Sequence, residues 1–226
     1  PAYEAGPAGR IMNIGIVNGG SCDIDFCFEY MKQMDCGYWI GVDSGLAAMK
    51  KLGVIPNLAL GDFDSADEET LAYFRSIRFI EWEEFPPEKD LTDLELAVRR
   101  AVEKKPEHIT VLGGTGTRFD HTLAAVKTIK IALDAGIGME FIDPHQRIYL
   151  IAGEREMRRE DLFGPYISFL PLCGPARGVT LEGFKYGLTG ADLDPWPTLT
   201  VSNEPAADLM RVRVEEGVLL CVEARD

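Results

Sequence analysis

The chain is expected to be an α/β protein with a smaller all-β unit behind it, and three observations carry that expectation. Short apolar strands alternate with helical segments over residues 11–144, which implies a mainly parallel sheet with helices on its faces. Helical periodicity then stops near Asp143-Pro144, and residues 145–226 hold only short apolar runs separated by Gly and Pro. Acidic and Gly-rich segments also fall just after strands, at the sheet edge where α/β proteins bind ligands.

In order, residues 11–17 form an apolar strand, and Asn18-Gly19-Gly20 turns the chain into a helix over 24–34. A strand over 38–42 ends in Asp43-Ser44-Gly45, and a helix over 46–52 stops at Gly53. Strand 57–60, helix 68–77, strand 79–82 and helix 91–103 continue the alternation. Strand 108–112 leads through a Gly-rich turn to one long helix, 119–135, capped by Gly136, and then to strand 139–142. In the second unit, short runs at 148–151, 166–170 and 199–202 read as strands. The runs 209–214 and 218–222 flank Glu215-Glu216-Gly217 and read as a hairpin.

Composition narrows the partners. A chain of 226 residues with 46% hydrophobic and 27% charged residues is ordinary for a soluble globular protein. A net charge of −14 argues against nucleic acid, whose phosphates need basic patches. The five cysteines are odd in number and lack a C-x-x-C spacing, so they read as free thiols in a reducing compartment. No apolar run approaches membrane-spanning length, and residues 1–10 lack a signal pattern. The expected location is the cytoplasm.

The chemistry gathers at four places. In Gly61-Asp62-Phe63-Asp64-Ser65 two carboxylates stand two apart after an apolar run. On an extended strand they would share a face and converge on one cation such as Mg²⁺; the alternative is an Asx-type turn. Asp43 follows the strand before it. Lys89-Asp90-Leu91-Thr92-Asp93 places Asp90 and Asp93 three apart at a helix start, a spacing that serves capping, a metal, or both. Gly113-Gly114-Thr115-Gly116-Thr117-Arg118-Phe119-Asp120-His121 joins a strand to a helix. Its glycines let backbone N–H groups reach an anion, and Arg118 is a ready phosphate clamp. Asp120 and His121 fit capping and packing as well as a site.

These four elements, in this order, resemble the thiamine pyrophosphokinase family. The likeness continues through Ser168-Phe169-Leu170-Pro171-Leu172, Gly183-Phe184-Lys185-Tyr186-Gly187-Leu188 and Ser202-Asn203. Two positions depart from the family pattern: Thr117 where a second Gly is common, and Tyr186 where Trp is frequent. The resemblance implies Mg²⁺-dependent transfer of a pyrophosphoryl group from ATP to the hydroxyl of thiamine, giving thiamine diphosphate and AMP. It implies a β-sandwich for the second unit and a homodimer with an active site shared between subunits. It implies metal binding by Asp43, Asp62, Asp64 and Asp93, and ATP binding by Asp43, Asp62, Lys89, Asp90, Thr92, Gly114, Gly116 and Arg118. Asp64, Arg118 and Asp120 become the catalytic candidates. Asp120, His121, Tyr186, Ser202 and Asn203 become the thiamine contacts. In Gly183–Leu188 a strand alternation would put Phe184, Tyr186 and Leu188 on one face, and an aromatic there is by default core. Two other readings remain: a different Mg²⁺-dependent D-x-D phosphate enzyme, or a non-catalytic nucleotide or thiamine sensor.

Overall fold

The computed structural model describes residues 12–226 apart from 87, 89, 117 and 173, so Lys89, Thr117 and Cys173 lie outside the described residues. The chain divides into two compact units, residues 1–139 and 140–226.

The first unit holds β1 (Asn13–Val17), α1 (Ile24–Met31), β2 (Cys36–Val42), α2 (Gly45–Leu52), β3 (Leu58–Gly61) and α3 (Glu68–Arg75). β4 (Glu81–Glu84), α4 (Asp93–Glu103), β5 (His108–Leu112), α5 (Phe119–Lys127) and α6 (Ile129–Asp134) complete it. The strands run parallel in the order β4-β3-β2-β1-β5. The first crossovers step outward from β1 to β4, and the chain then jumps back to place β5 on the other side of β1. Right-handed crossovers therefore send α4 to the opposite face from α1, α2 and α3. α1 packs with α2 and α2 with α3, while α4 packs with α6. β1 is central and almost entirely apolar, with Ile14, Ile16 and Val17 fully buried, as a strand covered on both faces must be.

Local chemistry sets the helix ends. Asp23 caps α1 by accepting from Phe26 N–H (2.9 Å), and Asp67 caps α3 through Thr70 N–H (2.8 Å). The long helix expected over 119–135 is two helices. At Thr128 the hydroxyl donates back to the Ala125 carbonyl (2.6 Å) and the backbone N–H of Thr128 bonds the same group, so the α-helical ladder is interrupted.

The second unit is antiparallel. β6 (Gly138–Ile142) straddles the division in sequence, and its residues 140–142 pair with β7 (Gln146–Arg158). β8 (Tyr166–Pro171), β9 (Ala176–Glu182), β10 (Leu188–Leu193) and β11 (Leu209–Ala224) follow. The hairpin expected around Glu215-Glu216-Gly217 does not form. Both halves of β11 run antiparallel to one strand, β7, with Val214 opposite Gly153 and Leu219 opposite Ile151. The intervening residues are an outsized bulge, which bends the strand without reversing it. Up to and within the bulge, as far as Glu216 opposite Arg177, β11 pairs with β9, and after it with β8. Phe169 of β8 meets Phe184 edge-on, ring centroids 5.2 Å apart, within one buried core that includes Met210, Val212 and Leu219. Residues 199–202, expected as a strand, form a turn. The 183–187 segment is likewise not a strand: Phe184 turns inward and Tyr186 is 58% exposed, so Tyr186 is not core.

Candidate active site

The switch in strand order between β1 and β5 is where an open α/β sheet leaves room for a ligand. The chain fills that position with two loops laced together. Asn18 N–H donates to Leu112 O (2.9 Å), Gly20 N–H to Gly113 O (2.9 Å) and Ser21 N–H to Thr115 O (2.7 Å), while Asn18 Nδ2 donates to Gly113 O (3.1 Å). Gly113 sits at φ +66°, and a Cβ there would meet Asn18 O at 2.4 Å, so this approach requires glycine. A cleft of about 700 Å³ opens above, lined by Asn18–Ser21, Asp43, Ser44, Asp62, Ser65, Thr92, Asp93, Gly114–Gly116, Arg118 and His121. The Asn18–Ser21 wall was read from sequence only as a turn; the glycine pair directly after the first strand was the available signal.

The carboxylates converge by a different route from the extended strand expected. β3 ends at Gly61, and Phe63 enters the left-handed region at φ +58°. Its ring is buried edge-on against Trp82, centroids 5.2 Å apart. Asp64 N–H then donates to Asp62 Oδ1 (3.2 Å), an Asx turn. The Asx turn and the converging carboxylates are thus one structure. Asp43, also left-handed at φ +46°, joins them from the end of β2. Gly61 permits this, since a Cβ there would lie 3.1 Å from that of Asp43. One carboxylate oxygen from each of Asp43, Asp62 and Asp64 lies within 4.8 Å of the others. Ser65 Oγ donates to Asp43 Oδ2 (2.5 Å), and Asp43 Oδ1 is buried with no hydrogen-bond partner. Hydrogen bonding with Asp62 and repulsion from Asp62 and Asp43 push the Asp64 carboxyl above its ordinary range.

Other predicted residues are placed less uniformly. Asp93 lines the same cleft as the first residue of α4 without joining the close group of three. The cap of α4 is Thr92, which accepts from Glu95 N–H (3.2 Å), and not Asp90, which is exposed and outside the cleft lining. Gly114 and Gly116 line the cleft as expected. Arg118 does too, but its guanidinium holds Asp120 at two points, 2.6 and 3.3 Å, with both side chains exposed. That contact lowers the Asp120 carboxyl to about 2.

The remaining predicted residues lie in the second unit. Asn203 is 2% exposed, and its amide is spent on backbone: Oδ1 accepts from Tyr186 N–H (3.0 Å) and Glu204 N–H (2.9 Å), and Nδ2 donates to Tyr186 O (2.8 Å). Its part is to hold Tyr186. Ser202, left-handed at φ +55°, is tied through its N–H to Ser168 Oγ (3.0 Å).

The first unit is thus an open α/β sheet whose acidic, glycine-walled cleft lies at the carboxyl ends of its strands, the ligand-binding class of that architecture. Family comparison gives the particular lineage. The thiamin pyrophosphokinase catalytic-domain model matches residues 29–140, and the thiamin pyrophosphokinase vitamin B1 binding domain model matches residues 154–219. The chain belongs to the thiamin pyrophosphokinase family. It is 33% identical to the thiamine pyrophosphokinase of Bacillus subtilis over 83% of this chain and 87% of that protein. The crystal structure of the Bacillus subtilis thiamine pyrophosphokinase superposes with a TM-score of 0.85 at 30% identity, covering 95% of this chain and 99% of the other. The yeast enzyme shares the fold, at a TM-score of 0.80 and 16% identity over 97% and 88% of the two chains.

Proposed function

We propose that this chain transfers the terminal pyrophosphoryl group of ATP to the hydroxyl of thiamine, yielding thiamine diphosphate and AMP. The observation that carries the reading is the group of Asp43, Asp62 and Asp64 beside a glycine-walled cleft, with Asp43 Oδ1 buried and unpartnered. An all-carboxylate donor set of this kind suits Mg²⁺. Asp43, Asp62 and Asp64 would hold that ion, with Asp93 in the same cleft. When bound, Mg²⁺ neutralises triphosphate charge and orients it for in-line transfer.

The chain's own groups supply the rest. The Gly113–Gly116 loop brings backbone close to the phosphates, and Thr122 Oγ1 accepts from Gly116 N–H (3.2 Å) to steady it. Arg118 exchanges Asp120 for phosphate oxygens, which stabilises the charge on the transferred group. Asp120, so released, faces the permanent positive charge of thiamine. Tyr186, held by Asn203, offers an exposed ring for stacking and cation–π contact. The active species is a homodimer that pairs the first unit of one subunit with the second unit of its partner. Exposed Trp196 and Leu199 in the second unit supply apolar surface for such an assembly. The cytoplasm is the proposed location, a reducing compartment that suits the thiols of Cys22, Cys27, Cys36 and Cys221. Among the described residues no helix is long and apolar enough to cross a membrane.

One incubation tests the reading: purified protein, ATP, Mg²⁺ and thiamine, with nucleotides and thiamine esters resolved by chromatography. Equal yields of AMP and thiamine diphosphate are expected. Free phosphate would instead indicate a D-x-D hydrolase, and no turnover a sensor.

A further inference from the structure

Two cysteines play no part in the proposed reaction. Cys22 directly precedes Asp23, the N-cap of α1, and Cys27 is the fourth residue of that helix. These are the two positions that a helix uses for an apolar staple. Here the staple is a pair of thiols, with sulfurs 3.2 Å apart. Cys27 is 2% exposed, whereas Cys22 is only half-buried. Asp23 fixes the start of the helix through Phe26 N–H, so the two sulfurs meet in the folded chain. They need to close by only about 1 Å to reach disulfide bond length.

We propose that Cys22 and Cys27 are a hydroperoxide-sensitive dithiol. The Cys22 thiolate attacks one peroxide oxygen, the O–O bond breaks, and a sulfenic acid forms as the departing oxygen leaves as water. The Cys27 sulfur then attacks the Cys22 sulfur, expels the hydroxyl as a second water and closes a disulfide. Two thiols lose two electrons and two hydrogens, and one hydrogen peroxide is reduced to two waters.

Among the described residues the other two thiols are unsuited. Hydrogen bonding from Cys27 holds the Cys22 thiol below its ordinary value, whereas burial pushes Cys36 up to about 11 and Cys221 up to about 12. The less buried member is therefore the nucleophile, and the buried member resolves it. The bridge would also fasten the chain just after Ser21, whose N–H is bonded to Thr115 O in the cleft wall.

The test treats the reduced, purified chain with a small excess of hydrogen peroxide, alkylates the remaining thiols and maps peptides by mass. The expected result is loss of two of the five thiols, an intact mass lower by about 2 Da, and a Cys22–Cys27 linked peptide that dithiothreitol releases. In Cys22→Ser the link disappears and thiol oxidation slows at least about tenfold. In Cys27→Ser, or in Cys27→Ala if the serine variant misfolds, oxidation stops at a Cys22 sulfenic acid that dimedone traps. Any of three wild-type results overturns the proposal: Cys36 oxidised before Cys22, links between chains, or Cys22 carried to sulfinic acid without a link.

Discussion

Asn203→Ala would isolate what holds Tyr186 in place. Three hydrogen bonds leave with the amide, those to Tyr186 N–H, Tyr186 O and Glu204 N–H. The backbone pair Asn203 N–H to Ile167 O (2.9 Å) and Ile167 N–H to Asn203 O (2.8 Å) survives any change of side chain. At about 1 kcal/mol net for each bond the loss is about 3 kcal/mol, and water reaching the exposed Tyr186 loop limits any further penalty. For a chain of this size that corresponds to a melting temperature lower by roughly 6–12 °C. Asn203→Asp keeps both accepted bonds but sets a carboxylate oxygen against Tyr186 O, so it should cost at least as much. Urea unfolding gives the stability change, and KM for each substrate gives the effect on the site. Thiamine KM should rise while ATP KM holds. Less than about 0.5 kcal/mol lost by Asn203→Ala, the level of an ordinary surface change, would refute the reasoning.

Replacing Asp62, Asp64 or Asp93 with Asn should lower turnover at saturating Mg²⁺ by at least about a hundredfold with folding intact; near-normal rates in all three would remove the carboxylates from the site. Tyr186→Ala should raise thiamine KM by roughly two- to thirtyfold and leave ATP KM alone, while a large melting loss with unchanged thiamine KM would reject the contact. Specific activity should fall on dilution below the dimer dissociation constant, and sedimentation of a fully active monomer would exclude a shared site. Asp64, whose carboxyl is raised in the fold, binds its proton more tightly folded than unfolded. Metal-free protein should therefore lose an unfavourable contribution as pH falls from neutral through that raised value, and Asp64→Asn should flatten this slope in melting curves.

The parallel unit was readable because β1, β2, β3 and β5 are largely apolar runs whose chemistry follows at once, whereas β4, Glu81–Glu84, is mostly acidic and lies two residues beyond the strand expected over 79–82. Asp43, Asp62 and Gly114 could be placed by that rule alone. The second unit resisted for physical reasons. β9 and β10 carry Arg177, Gly178, Thr189 and Gly190 in place of a clean alternation, and their pairing depends on residues far along the chain. Glu215-Glu216-Gly217 looks like a turn locally, yet the partner strand β7 decides that the chain continues. Asp90 looked like a cap, but Thr92 stands next to the first helical residue. The role of Asn203 was out of reach, since burial and partners of a polar side chain are tertiary facts. In the sequence it is marked only by its place beside Ser202 in a family pattern.

The double allegiance of β11 also dictates the order of assembly. It is the last strand of its unit to leave the ribosome, and it is the neighbour that β7, β8 and β9 all require. Until it arrives, those strands present open edges, the kind of surface that recruits other nascent chains. The parallel unit forms a compact body of its own that precedes that segment in the chain, so it is expected to fold while the rest is still being made. The β unit is therefore expected to be the slower and more aggregation-prone step of biogenesis, and overproduction should fail there first.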